Sequence, residues 1–278
     1  MFAVRTAISA PVVSVEHIGG GQRVVRYDVV RHRATITIDD PQRRNPLSTE
    51  TMAQLAEAVT RATHDPDVRV VVITGAGDKA FSAGGDLSGG FMDTPIATHG
   101  SRGALADLFR NLRRCDKPVV ARVNGHALGG GFGLAAACDI VIAVEDALMG
   151  TPEIRVGLWP MMISAVLQPI VPQKALFEMM ATGRRFPASE GVGLGVVSRA
   201  VPRDELDAAV DETVAALLSY SPATLALGKA AFYAIADLDL DAALDYLHIG
   251  LTATGTTEDA VEGITAFVEK RHPEWKGR

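Results

Sequence analysis

The residues of this sequence best suited to chemistry are two glycine-rich segments. The glycines at 129–131 stand directly before FGLAAAC, an apolar run that predicts a helix. The first N–H groups of a helix have no partner within it and carry the positive end of the helix dipole, so this turn can hold an oxyanion. A second glycine pair, at 84–85, occurs in AFSAGGD and is followed by Asp86. Both segments are also compatible with tight turns that need glycine for geometry alone.

One carboxylate follows these turns closely enough to join them. Glu153, in GTPEIRVGL, comes after a β-rich segment and can therefore project into the same crevice as the glycines. A single carboxylate can take up and return a proton as general base and acid. A glutamate after a proline also serves as a cap or a surface residue, and the sequence leaves both interpretations open.

A dinucleotide-binding fingerprint is a competing interpretation of the second glycine segment. Residues 131–136 fit GxGxxA, and Glu145 or Asp146 ends the next β-rich run. However, the acid follows Gly131 by only 14 or 15 residues, and NGHALG separates the strand from the fingerprint. The fingerprint requires about 20 residues between the glycines and the acid, and a glycine turn directly after the strand, so this interpretation is disfavoured.

A hydrolase is the other competing interpretation. Ser82, in AFSAG, resembles a relaxed nucleophile elbow. A triad also needs a later histidine, and His248 and His272 lie in a predicted helix and in the tail. His126, just before the second glycine segment, is a candidate general base, although a supporting or merely tolerated residue is the simpler interpretation.

The elements around these residues alternate between strands and helices up to about residue 203. Continuous β-branched runs such as VRVVVITG are typical of strands buried on both faces. Strands are predicted at 24–30, 34–40, 68–75, 117–124 and 139–150. Helices are predicted at 47–64, with Ser48 or Thr49 as N-cap, at 104–115, and directly after the glycines at 129–131. One long loop is predicted at 75–90. Strand, glycine turn, helix and strand in succession predict an α/β fold, in which ligands bind beyond the carboxyl ends of the strands.

From residue 204 onward the pattern becomes purely helical. Amphipathic helices are predicted at 205–218, 223–236, 240–251 and 258–271. Helices with this much apolar surface must pack on the core, on another subunit, or on both. We therefore divide the chain into an N-terminal extension (1–23), a core that carries the site (24–203) and a helical C-terminal region (204–278).

Composition and charge exclude several classes of function. The chain has 278 residues and a net charge of −6, which argues against a general nucleic-acid binder. No apolar run approaches the roughly 20 residues that span a bilayer, so no membrane partner is expected. No CxxC or HExxH motif predicts a metal site. The two cysteines, Cys115 and Cys138, are expected to be buried free thiols in a reducing compartment, with the cytoplasm as the default location.

Taken together, the motifs resemble the enoyl-CoA hydratase/isomerase (crotonase) superfamily over nearly the whole chain after residue 24. The segments that carry the resemblance are DDPQRRNPLS, VVVITGAGDKAFSAGGDL, KPVVARVNGHALGGGFGLAAACDIVIA, TPEIRVGLWP and AFVEKRHPEW. The resemblance implies an α/β fold of the crotonase type, a spiral of repeated ββα units with a C-terminal helical trimerisation region. It also implies a homotrimer or a hexamer (dimer of trimers), and no cofactor apart from the coenzyme A of the substrate.

The resemblance assigns roles to individual positions. It implies that the N–H groups of Gly85 and Gly130 hold the thioester oxygen and that Glu153 moves the proton. The residues expected to contact the acyl-CoA substrate are Arg43, Arg44, Ala83, Gly84, Asp86, Gly129, Gly133, Met161, Phe267 and Lys270. Among these, Phe267 and Lys270 match positions that, in many members, close over coenzyme A from a neighbouring subunit.

One departure from the family pattern limits the functional prediction. Two-glutamate hydratases carry a glutamate three residues after the middle glycine of the second turn, where this chain has Gly133. A second departure, PMMISAVL after the glutamate, makes Met161, Met162 and Ile163 the expected apolar lining of the acyl pocket. The sequence therefore predicts an enoyl-CoA hydratase or isomerase, with a non-catalytic acyl-CoA-binding member of the family as the alternative.

Overall fold

The computed structural model describes residues 23–86 and 95–278, without the side chains of residues 95–98 and 100–102. The predicted N-terminal extension, apart from Arg23, and residues 87–90 of the predicted loop lie outside this part of the chain.

Twelve strands and ten α-helices make up the described part of the chain. The strands are β1 (Val25–Val30), β2 (Arg33–Ile38), β3 (Pro46–Leu47), β4 (Val70–Gly75), β5 (Ala80–Ser82), β6 (Gly84–Gly85), β7 (Val119–Val123), β8 (His126–Leu128), β9 (Ile140–Val144), β10 (Leu148–Gly150), β11 (Arg185–Pro187) and β12 (Arg199–Val201). The helices are α1 (Thr49–His64), α2 (Pro95–Arg114), α3 (Gly130–Ala136), α4 (Met161–Leu167), α5 (Gln173–Thr182), α6 (Ala188–Gly193), α7 (Leu206–Leu218), α8 (Pro222–Ala234), α9 (Leu240–Gly255) and α10 (Glu258–Glu269).

The strands form two main sheets that the chain visits in turn. The larger sheet has the order β1-β2-β4-β7-β9-β12 and the smaller one β11-β10-β8-β5, while β3 pairs with β6. Among the described strands, only the outer pairs β1–β2 and β10–β11 are antiparallel. Each successive repeat places one strand in the large sheet and the next in the small sheet: β4 then β5, β7 then β8, β9 then β10. This is the predicted spiral of repeated units.

Burial explains why these segments became strands of the large sheet. All six residues of β4 are buried, and in β7 and β9 only Arg122 and Ile140 are partly exposed. Helices cover both faces of such a parallel sheet, which is why its strands consist of continuous Val and Ile rather than alternating residues.

The observed boundaries of strands and helices differ from the predicted ones in glycine-rich segments and where strands are short. The predicted loop at 75–90 contains β5 and β6, and the predicted strand at 139–150 is two strands, β9 and β10, in different sheets. The helix predicted from Leu47 begins at Thr49, because the Ser48 hydroxyl accepts the Thr51 N–H and caps it. The helix predicted at 104–115 begins earlier, at Pro95. A three-residue strand has too few residues for a period to show in sequence.

The helical C-terminal region divides into two parts by its packing. In α7, Leu206, Ala209, Val210 and Val214 are buried in the core, whereas α8 and α9 bury no residue fully. Helix α8 is held to the core by polar contacts. The Lys229 ammonium lies 2.7 Å from Asp139 Oδ2 and donates to the Lys117 and Leu112 carbonyls. The Tyr233 hydroxyl donates to the other oxygen of Asp139 at 2.7 Å.

The residues after α10 return to the start of that helix. Asp259, which is 1% exposed, accepts hydrogen bonds from the Ser221 hydroxyl and from the N–H groups of Lys276 and Gly277. The Trp275 indole N–H donates to Ser219 O at 2.7 Å. None of the described helices has the length and apolarity needed to cross a membrane.

Candidate functional site

The two glycine-rich turns meet at the same edge of the small sheet. Strand β5 leads into the first turn and β8 into the second, and the two strands are parallel neighbours. A methyl group on Gly84 would lie 3.3 Å from the Gly130 N atom, and one on Gly130 would lie 3.7 Å from the Gly85 N atom. The nitrogen atoms of the two predicted donors therefore border a common space.

Two of these glycines are required by the backbone itself. Gly129 has φ of +52° and Gly84 has φ of +95°, both in the region that other residues avoid. A side chain on Gly84 would also lie 2.6 Å from the Leu128 carbonyl oxygen. The first turn can approach the second this closely only because Gly84 lacks a Cβ.

The described hydrogen bonds around the turns engage neighbours of Gly85 and Gly130. Gly129 donates to Gly150 O, and Gly133 donates to Gly129 O as the first bond of α3. Gly130 is the first residue of α3, where an N–H has no acceptor within the helix. Asp86 donates to Leu47 O across the β3–β6 pair, so the preceding N–H, of Gly85, points to the opposite side of the strand.

Two buried asparagines hold the loop between β4 and β5, and the sequence patterns did not single them out. The Asn45 amide donates to Ala76 O and Ala80 O, while the Asn124 amide donates to Gly77 O. Asn45 and Asn124 are 1% and 3% exposed. The only sequence features that could have indicated this role are the positions of the two residues, Asn45 directly before Pro46 and Asn124 directly after β7. They fix the loop that leads into β5, the strand before the first glycine turn.

Glu153 stands beside the second turn. It lies in a 3-10 turn (Pro152–Val156), and its Oε1 atom is 2.9 Å from the place that a methyl group on Gly129 would occupy. Its Oε2 atom is buried and has no hydrogen-bond partner among the described residues, and the same holds for the Thr151 hydroxyl two residues earlier. Burial raises the pKa of the Glu153 carboxyl above its ordinary value, opposed only in part by a hydrogen bond from its own N–H. A half-buried carboxyl with a raised pKa beside the two glycine amides is suited to proton transfer.

The walls around the common space are apolar. A methyl group on Gly130 would contact Leu47 Cδ1 at 3.4 Å and Leu105 Cδ2 at 3.9 Å. Ile163, on α4, lies over Gly133 and is 2% exposed. Met161, predicted to line the pocket, is 71% exposed at the start of α4.

Four of the residues predicted to contact coenzyme A bond one another between the turn after β2 and the first glycine turn: Arg43, Arg44, Ala83 and Asp86. The Arg44 carbonyl accepts the Ala83 N–H at 2.9 Å, and Arg44 itself has φ of +64°. The Arg43 guanidinium lies 2.5 Å from Asp86 Oδ2. This pair brings a cation and an anion to the rim of the first turn, and the carboxylate of Asp86 raises the pKa of Arg43.

Phe267 and Lys270 lie elsewhere in the chain. Helix α10 packs against α8 and α9, with Phe267 84% exposed and Lys270 closing the helix in a left-handed conformation (φ +56°). Within one chain the described contacts do not bring them to the glycine turns.

The residues of the competing interpretations have structural roles. The Ser82 hydroxyl is fully buried and accepts the Gly84 N–H, so it is not an exposed nucleophile. His126 Nδ1 accepts the Leu148 N–H at 2.9 Å, and Asp146 pairs with Arg203. Gly131 lies inside α3 against Ser82 rather than in a strand-to-helix turn.

Comparison with known proteins gives consistent results. Residues 32–278 match the family model described as Enoyl-CoA hydratase/isomerase. A carnitinyl-CoA dehydratase of Salmonella enteritidis is 37% identical over 251 residues, which are 87% of this chain and 94% of that protein. An enoyl-CoA hydratase structure from Mycobacterium smegmatis matches with a TM-score of 0.88 and 34% identity, covering 91% of this chain and 99% of the other. The human enoyl Coenzyme A hydratase domain-containing protein 3 matches with the same TM-score and 30% identity, covering 91% and 100%.

Proposed function

Because the chain belongs to the enoyl-CoA hydratase/isomerase (crotonase) family, we propose that it is an enzyme that stabilises the enolate of an acyl-CoA thioester. The N–H groups of Gly85 and Gly130 hold the thioester oxygen, and Glu153 is the single acid–base group. The observation that carries the proposal is that these two amides lie close together beside a half-buried carboxyl, one oxygen of which is fully buried without a hydrogen-bond partner among the described residues.

The chemistry follows from this arrangement. Glu153 as a carboxylate removes a proton from the carbon next to the thioester carbonyl, and the electron pair moves to the carbonyl oxygen. The two N–H groups are preorganised toward that oxygen, where negative charge develops. Loss of one such donor typically costs about 3 kcal/mol in the transition state.

Two overall reactions begin or end with this enolate. In double-bond isomerisation, the proton that Glu153 takes from the α-carbon of a 3-enoyl thioester is returned to the γ-carbon. In hydration, a hydroxyl adds to the β-carbon of a 2-enoyl thioester and a proton to the α-carbon, and dehydration is the reverse. Relatives named carnitinyl-CoA dehydratase and enoyl-CoA hydratase support the second pair of reactions, whereas a single described acid in the crevice favours the first.

Glu153→Gln tests the proposal. General acid–base catalysis contributes about 10²–10⁴-fold, so turnover of the best acyl-CoA substrate should fall by at least that lower bound. The substrates tested are crotonyl-CoA, a 3-enoyl-CoA and branched enoyl-CoAs. Each reaction is followed by the change in ultraviolet absorbance as the conjugated double bond is lost or formed. Turnover within about tenfold of the wild type would contradict the role of Glu153.

The alternative, a non-catalytic acyl-CoA-binding member, needs a different measurement. Both an enzyme and a binding protein give heat on titration with acyl-CoA, but only an enzyme exchanges the α-proton for deuterium in D₂O. Exchange that is present in the wild type and absent in Glu153→Gln supports catalysis. Binding without exchange supports the alternative.

We also propose that the chain forms a homotrimer or a dimer of trimers. Helices α8 to α10 expose many large apolar residues: Leu227, Phe232, Leu240, Leu244, Ile249, Leu251, Val261, Ile264, Phe267 and Val268. An apolar surface of this extent is typical of a subunit interface. In such an assembly, Phe267 and Lys270 would reach the coenzyme A of a neighbouring subunit, while Arg43, Arg44, Ala83 and Asp86 contact it from within. Sedimentation equilibrium measures the number of 29.4 kDa chains per particle.

A further inference from the structure

One buried ammonium group, that of Lys229 on α8, binds the segments that follow two helices of the site. The Lys229 side chain is 8% exposed. Its Nζ atom donates to the carbonyl oxygens of Leu112 and Lys117 at 3.2 and 3.0 Å. The same atom lies 2.7 Å from Asp139 Oδ2. An ammonium group has three N–H donors, so these three acceptors engage all of them and fix its position.

The three acceptors stand at the C-terminal ends of α2 and α3. The Leu112 carbonyl is one of the last four of α2, which have no N–H partner within the helix. Lys117 lies three residues after the end of α2, and Asp139 three residues after the end of α3. A cation is favourable at the C-terminal end of a helix dipole. One side chain of α8 therefore joins the ends of both helices.

The same two helices line the site nearer their N-terminal ends. Gly130, whose N–H is a proposed oxyanion donor, is the first residue of α3. Leu105, on α2, lies 3.9 Å from the place of a methyl group on Gly130. From Leu105 to Leu112 is about 10 Å along the helix axis, and α3 is about as long. A packed helix moves as a rigid element over such a length, so a shift at one end reaches the other.

The carboxylate that binds Lys229 is itself held between α8 and the large sheet. The Tyr233 hydroxyl of α8 donates to Asp139 Oδ1 at 2.7 Å, and the Val119 N–H of β7 donates to Oδ2 at 2.7 Å. The Arg113 guanidinium, near the end of α2, donates to the Tyr233 carbonyl at 2.8 Å and lies over the Tyr233 ring. Helix α8 buries no residue fully. Polar contacts therefore hold α8 against the ends of α2 and α3.

We infer that Lys229 is a positioning residue for the reaction: by joining the ends of α2 and α3, it keeps the Gly130 N–H at its place beside the Gly85 N–H. This inference rests on the proposed function, since it assumes that these two N–H groups bind the thioester oxygen. Small shifts matter at such a site, because a misplacement of about 1 Å caused by a distant substitution can cost about 10²-fold in rate. Lys229 acts through the two helices and has no contact with the substrate in this role.

Lys229→Met tests the inference, because it keeps an unbranched side chain and removes the ammonium group. Its matched control is Asp259→Asn. Asp259 is another buried charged residue of the helical C-terminal region, at 1% exposure. Its carboxylate accepts hydrogen bonds from Ser221 and from residues 276 and 277, and from no described residue of α2 or α3. The control therefore weakens the same region without releasing the two helix ends.

The double variant Lys229→Met/Asp139→Asn separates positioning from stability. The single variant Lys229→Met leaves the Asp139 carboxylate without its cation, whereas the double variant has a neutral amide at position 139. The double variant should therefore recover part of the melting temperature that the single variant loses. It still has no group that joins the carbonyls of Leu112 and Lys117 to position 139. Its activity should consequently stay as low as that of the single variant.

The measurement is α-proton exchange of butyryl-CoA in D₂O, followed by NMR at a temperature at which circular dichroism shows each protein to be folded. We expect kcat to fall by at least about tenfold in both Lys229 variants, toward the roughly 10²-fold cost of a 1 Å misplacement. KM should change much less, because the residues proposed to contact coenzyme A are unaltered. Asp259→Asn should keep the kcat of the wild type.

Three results overturn the inference. Equal kcat values for Lys229→Met and Asp259→Asn show that the contacts of the ammonium group are not needed for the reaction. A kcat that recovers together with the melting temperature in the double variant shows that Lys229 acts through stability alone. If Lys229→Met does not fold, the double variant is compared with Asp259→Asn, and equal kcat values again overturn it. Wild-type protein that exchanges no α-proton contradicts the proposed function itself.

Discussion

Gly130→Ala should strongly impair catalysis while the protein remains folded. The added methyl group would lie 3.4 Å from Leu47 Cδ1 and 3.9 Å from Leu105 Cδ2, which are ordinary van der Waals contacts. It would also lie 3.7 Å from the Gly85 N atom, in the space that faces both proposed donors. Alanine is preferred to glycine within a helix, so the substitution carries no intrinsic conformational cost at the start of α3.

The size of the effect follows from this position. An oxygen bound by the Gly85 N–H must approach it to about 2.9 Å, and a methyl group in the same space displaces the thioester from one donor. Losing one donor of an oxyanion hole costs about 3 kcal/mol, or 10²–10³-fold in kcat. The free energy of unfolding should stay within about 1 kcal/mol of the wild type or rise slightly, as for other glycine-to-alanine changes in helices.

Gly85→Ala is the matched control. No atom of the described residues lies within 4 Å of a methyl group on Gly85, so the backbone donor should remain and activity should be retained. Both variants are compared by α-proton exchange in D₂O and by urea denaturation. Equal activity of the two would refute the assignment of the common space as an oxyanion hole, and unfolding of Gly130→Ala would refute the steric argument.

Two further predictions concern charge and burial. Burial raises the pKa of the Glu153 carboxyl above its ordinary value of 4.5. The folded state therefore binds this proton more tightly than the unfolded state does. The protonated carboxyl stabilises the fold fully below pH 4.5, and this stabilisation is lost as pH rises through the raised pKa. Glu153→Gln should therefore melt at a higher temperature than the wild type at pH 7, with the difference disappearing near pH 4; a constant difference across this range would contradict the cause. Lys229→Met should destabilise the chain by about 3 kcal/mol, the lower end for a broken buried pair, because it removes the cation beside the half-buried Asp139, which keeps only the Val119 N–H and the Tyr233 hydroxyl among the described donors. Tyr233→Phe should cost about 2 kcal/mol, the value for a hydrogen bond to a charged group. Urea midpoints in the reverse order would contradict these roles in the network.

Much of the fold was accessible from the sequence because its signals are long and repeated. The β-branched run at 70–75 and the amphipathic helices after residue 204 each extend over enough residues for a period to show. The two glycine turns were also predicted, because Gly129 and Gly84 adopt backbone conformations that require glycine. Their convergence was implied only by a family resemblance, since it depends on β5 and β8 being neighbours.

Other parts of the site depend on contacts between residues distant in sequence. Asn45 and Asn124 both donate to the loop between β4 and β5 and to its end at Ala80. An asparagine near a turn commonly bonds its own nearby backbone instead, so its type and position do not indicate a distant partner. The sequence indicated that Gly133 lacks an acid, but only the structure places Ile163 in the volume that such an acid would fill. The buried oxygens of Thr151 and Glu153, which have no hydrogen-bond partner in the described part of the chain, likewise follow from tertiary packing and have no local signature.

The hydrogen bonds from residues 276 and 277 to Asp259 make local opening of the α8–α10 region measurable by hydrogen exchange. The amide hydrogens of Lys276 and Gly277 are donated to a carboxylate that is itself 1% exposed, so they should exchange with solvent slowly. The Ser221 hydroxyl that binds the same carboxylate also caps α8, which joins the starts of two helices to this tail. Protection of these two amides therefore measures how often the α8–α10 end separates, independently of the large sheet.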